Sequence, residues 1–109
     1  MSTPGENVID RRALETIKRV IDEAPQTFAD LLDTLAEARR YARVNPRETH
    51  GLMCLAAAGV ALLVPNEIGG RIAMNFTVAS RFLHAVPDVA MGYITGAILE
   101  IQDYEAKKK

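Results

Sequence analysis

The chain has 109 residues, a size at which one domain buries about two-thirds of the surface its unfolded form exposes. Apolar residues make up 49% and charged residues 25%, with seven glycines, five prolines and one cysteine, which excludes disordered, fibrous and disulfide-stapled classes. Thirteen basic against fourteen acidic side chains leave a net charge of −1, so the total announces neither polyanion binding nor a halophilic surface.

The charge is unevenly placed. Residues 1–50 carry 17 charged side chains, whereas residues 51–99 carry four: Glu67, Arg71, Arg81 and Asp88. So little charge on the second half calls for cover on more than one side, and the charged half is too small to supply it alone. The split therefore points to association.

Residues 1–7 have neither a basic stretch nor an apolar core, so no secretory signal is expected and this end is read as flexible. Residues 9–23 place Ala13, Ile17, Val20 and Ile21 on one face, the pattern of an amphipathic surface helix. Pro25 ends it. Thr27 is a suitable N-cap for the next helix, in which Phe28, Leu31, Leu32, Leu35, Ala38 and Ala42 recur at three- and four-residue steps.

Asn45, Pro46 and Glu48 form a start signal: asparagine accepts bonds from free amides, proline suits the first helical position, and glutamate reaches back to the cap amide. A third helix is predicted from Pro46 to Val64. It is apolar at every position from Gly51 onward, which predicts a central or membrane-embedded helix.

Residues 66–86 carry two periods. Ile68, Ile72, Phe76, Ala79 and Leu83 fit a helix, while Ile72, Met74, Phe76 and Val78 alternate as a strand would. Length, and the absence of a second strand to pair with, favour the helix. Gly69 and Gly70 are read as a turn that delays its start. A fifth helix opens at Pro87 and Asp88, with Tyr93, Ala97, Ile101 and Tyr104 near one face and Ile94 and Ile98 beside them; residues 105–109 are read as its fraying basic end. The fold class expected is all-α: a single small bundle of about five helices over residues 1–109, with a largely apolar C-terminal half.

No catalytic signature is present, and no cofactor or enzymatic activity is expected. Cys54 lies among apolar neighbours and is read as a buried structural thiol, consistent with a reducing, cytoplasmic setting. His50 and His84 are read as lacking a second ligand at metal-site spacing, so no metal centre is expected. His50 is placed beside solvent and His84 near the end of the fourth helix. Gly69 and Gly70 lack the flanking residues of a phosphate-binding loop.

Two patterns remain as candidate sites. Arg39, Arg40, Arg43 and Arg47 make a basic cluster around a short turn, able to meet phosphates or an acidic partner or simply to solvate a helix end. The helix after it offers almost no polar side chain to read bases, which disfavours a helix-turn-helix. Gly92 and Gly96 form a small-xxx-small spacing, with Tyr93 and Ile94 beside it, that serves either intrachain packing or a self-association seam.

A membrane span is short of residues. Residues 51–65 make a helix of about 21 Å against the roughly 30 Å of a hydrocarbon core. The function expected is a non-enzymatic assembly, adaptor or inhibitor protein that binds itself, and another protein, through apolar helices. The alternatives are a nucleic-acid-binding protein using residues 39–47 and a small membrane-active, holin-like protein.

Overall fold

The computed structural model describes residues 14, 15, 18–20 and 22–108. The apolar positions Ala13, Ile17 and Ile21, the N-terminal residues 1–7 and Lys109 lie outside the described residues. Of the described residues 85% are helical and none is in a strand, so the protein is all-α. Its four fully described helices are α1 (Phe28–Tyr41), α2 (Pro46–Leu63), α3 (Asn66–Phe82) and α4 (Pro87–Lys108).

Each start has a local cause. Thr27 accepts a hydrogen bond from the Asp30 amide at 3.1 Å, which satisfies one of the free donors at the start of α1. Asn45 does the same for the Glu48 amide at 3.1 Å, and Pro46 follows as the first residue of α2. Glu48 reaches back to the Asn45 side-chain amide at 3.3 Å rather than to the backbone of the cap. Pro65 precedes α3 without a side-chain cap, and its carbonyl accepts from the Gly69 amide at 2.7 Å.

The helices form two hairpins, α1–α2 and α3–α4, with α1 also packed on α4 and α3 on α2. Leu31 and Leu35 from α1, Ile72 from α3, Leu83 from the turn after it, and Ile94 and Ile101 from α4 are fully buried in one shared core. Thr49, also fully buried, donates its hydroxyl to the Asn45 carbonyl at 3.0 Å.

Four expectations need correction. First, α2 is apolar but not enclosed. Its buried positions are Thr49, Met53, Ala56, Gly59 and Val60, while Cys54 and Ala61 are exposed and Leu62 is 58% exposed. It packs on α1 and α3 and not on α4, so it lies at the side of the bundle. Second, Gly69 and Gly70 are inside α3 and have no positive φ. Gly69 permits a close approach instead: a β-carbon there would lie 3.4 Å from both Val60 Cγ1 and the Val64 carbonyl oxygen.

Third, the buried stripe of α4 is Ala90, Ile94, Ala97 and Ile101, with Tyr93 on its margin. Fourth, α4 continues through Lys108 instead of fraying from residue 105. Asp103 and Lys107 pair at 3.0 Å, the Tyr104 and Phe28 rings are 6.0 Å apart, and the Lys108 ammonium sits 5.3 Å from the Phe28 ring centre. The two contacts with Phe28 hold the last turns against the start of α1, while the Asp103–Lys107 pair lies within α4 itself. Residues 66–82, where two periods competed, are helical because Ile72, Phe76 and Ala79 turn inward together while Met74 is 64% exposed.

Candidate functional site

The face of α4 that points away from the core carries both glycines. Steps of about 100° per residue set Gly92 and Gly96 roughly 160° from Ile94, on either side of the outward direction. A β-carbon at Gly92 would meet nothing within 4 Å, and one at Gly96 would meet the Asn75 side chain, nearest at 3.7 Å. Among the described residues, no helix backbone atom is among the nearest neighbours that a β-carbon at either position would meet. Val89 is 37%, Tyr93 39% and Leu99 59% exposed beside them. The outward face thus has exposed apolar side chains around an open Gly92, while at the half-buried Gly96 the Asn75 amide borders it.

Ile94 does not belong to that face. It is fully buried, because it lies two residues from Gly92 and Gly96 and so on the opposite side of the helix. Val89 and Leu99 take its place, three residues before Gly92 and three after Gly96. Their spacing in the sequence is the signal that would have found them.

The arginines divide. Arg39 donates from Nη1 to the Thr95 hydroxyl at 3.3 Å, and Arg43 donates from Nε to Asp88 Oδ1 at 2.7 Å while its Nη2 makes an ion pair with the same oxygen. Both tie the end of α1 to the first half of α4. Arg39, Arg40 and Arg43 line one depression with Ala36 and Met91, whereas Arg47 is exposed in the first turn of α2 and does not line it. The Arg43–Asp88 pair is well exposed, which limits it to about 0–1 kcal/mol.

Cys54 is exposed, contrary to the buried thiol expected from its neighbours. Met53 takes the inward position, and the next residue is rotated about 100° out of the buried line. The reading of His50 as lacking a second ligand is also corrected, since Cys54 follows it by four residues and its Sγ lies 3.8 Å from His50 Nε2. His84 is exposed in the turn after α3. No group of three or more His, Cys, Asp or Glu among the described residues could hold a metal ion. Among the described residues, no helix is long and apolar enough to cross a membrane.

In comparisons with protein-family models, with curated proteins and with solved structures, nothing matched the chain.

Proposed function

We propose that this is a non-enzymatic, cytoplasmic interaction protein that self-associates through the outward face of α4 and so acts in assembly, as an adaptor or as an inhibitor of another protein. The observation that carries this reading is the open position at Gly92, where a β-carbon would meet nothing within 4 Å among the described residues, continued by Gly96 beside the Asn75 side chain and bordered by exposed Val89, Tyr93 and Leu99. Glycines cost helix stability, about 1 kcal/mol each relative to alanine, and a close approach by a second helix is the compensation that such a spacing offers.

Magnitudes favour a seam that depends on this approach. Burying what is still exposed of Val89, Tyr93 and Leu99 on two copies contributes on the order of 6 kcal/mol. That is comparable with the roughly 4–15 kcal/mol lost as translational and rotational freedom. Packing across the glycines must supply the surplus.

Sedimentation and light scattering of the purified chain at tens of micromolar, with and without detergent, test the proposal. A mass above one chain in detergent-free buffer is the expected result. A single-chain mass at that concentration removes self-association and leaves a different protein as the partner for this face.

A further inference from the structure

His50 and Cys54 lie one helical turn apart on the exposed side of α2, with imidazole Nε2 3.8 Å from the thiol Sγ. A tetrahedral zinc-type ion holds sulfur at about 2.3 Å and imidazole nitrogen at about 2.0–2.1 Å, which places the two donor atoms about 3.6 Å apart. The pair is therefore already near the bite of a chelate, and a small side-chain adjustment brings both donors onto one ion. Gly51, next to His50 and three residues before Cys54, would have nothing within 4 Å of a β-carbon. Gly51 and Cys54 line a depression whose other described walls include Arg19, Val20, Glu23 and Glu48.

We propose that His50 and Cys54 form a two-ligand chelate for a thiophilic divalent cation of the zinc class. A thiolate with a neutral imidazole suits zinc or cobalt, whereas magnesium and calcium require the oxygen donors that this pair lacks. Loading is an exchange of a proton for the ion: the Cys54 S–H bond breaks, sulfur bonds to the metal, and the proton goes to solvent. The His50 Nε2 lone pair supplies the second bond, and no electron is transferred. Because no third His, Cys, Asp or Glu gathers with the pair among the described residues, two positions of a tetrahedral ion remain for water or for a donor from another molecule.

The test is a titration of the reduced, chelator-treated protein with Co²⁺, followed by absorbance. Binding is expected to produce a thiolate-to-cobalt charge-transfer band that zinc then abolishes. Cys54→Ser removes the band, and His50→Ala weakens cobalt binding by about tenfold or more, since a single ligand no longer gains from the second being held beside it. Both side chains are exposed, so both variants keep the wild-type circular dichroism. Absence of the band in the wild type, its survival in Cys54→Ser, or unchanged affinity in His50→Ala overturns the proposal. Absorbance reports the ion and not the mass, so the chelate and the α4 seam stand or fall separately.

Discussion

Helices α2 and α4 both place glycines in apolar sequence, and they use them in opposite directions. Gly59 of α2 is buried, and a β-carbon there would lie 2.9 Å from Pro25 Cγ and 3.3 Å from Leu31 Cδ1. It lets the segment before α1 cross α2 at close range. Gly92 of α4 is exposed, and a β-carbon there would meet nothing within 4 Å among the described residues. The same residue type in an apolar helix therefore marks a close approach within the chain at Gly59 and, among the described residues, none at Gly92.

Leucine substitution exposes this contrast most strongly at Gly59. Gly59→Leu should lower stability by about 1–3 kcal/mol, because Pro25 and Leu31 leave no room for the new side chain. Ala57→Leu, at a half-buried position lining the groove between α2 and α3, should cost less. Thermal melts check both, and a wild-type midpoint for Gly59→Leu would mean that the crossing at Pro25 gives way.

Gly92→Leu is the counterpart. The monomer fold should be retained, and stability should rise by up to about 1 kcal/mol as a helix-interior glycine is replaced by a better helix former. The mass by sedimentation should fall toward one chain. A loss of helicity together with stability would place the groove inside the molecule. Unchanged mass and unchanged fold would move the seam to α2, whose exposed Ala61 and Leu62 are the next apolar surface.

Smaller effects belong to the arginines that join α1 to α4. Arg43→Ala removes an exposed ion pair, and chemical denaturation should register a loss of about 0–1 kcal/mol. With Arg39 and Arg43 engaged by Thr95 and Asp88, the cluster should not bind DNA or RNA at physiological salt. Tight binding that weakens steeply with salt and disappears in the Arg40→Ala, Arg43→Ala double variant would reverse the choice between protein and nucleic acid as partner.

The helices were legible in the sequence wherever a cap or a proline has a local mechanism, as at Thr27, Asn45 and Pro46. The helical period of Ile72, Phe76 and Ala79 was equally local. What was not legible is which side of an apolar helix faces in. In α2 every residue from Gly51 on is apolar, so no polar side chain marks the outward line, and Cys54 was read as buried. The same lack of contrast joined Ile94 to its sequence neighbours at the seam, although it points the other way. Gly69 and Gly70 suggest a turn because glycine disfavours a helix on propensity alone, yet both lie inside α3, where Gly69 is buried beside Val60 and Val64 and Gly70 is exposed.

The order of helix contacts bears on how the chain reaches this state. Contacts join α1 to α2, α2 to α3 and α3 to α4, all neighbours in sequence, and α1 to α4 is the one distant pairing among these four helices. A topology so rich in local contacts belongs to the fast end of folding, in microseconds to milliseconds. The hairpins can form early, each with little loop entropy to overcome, and the closing of α4 onto α1 is the step that waits for the rest of the chain. Truncation of Phe28 or Tyr104, whose rings meet across α1 and α4, should then act mainly on the unfolding limb of a chevron, since a contact made late in folding affects the rate of unfolding more than that of folding.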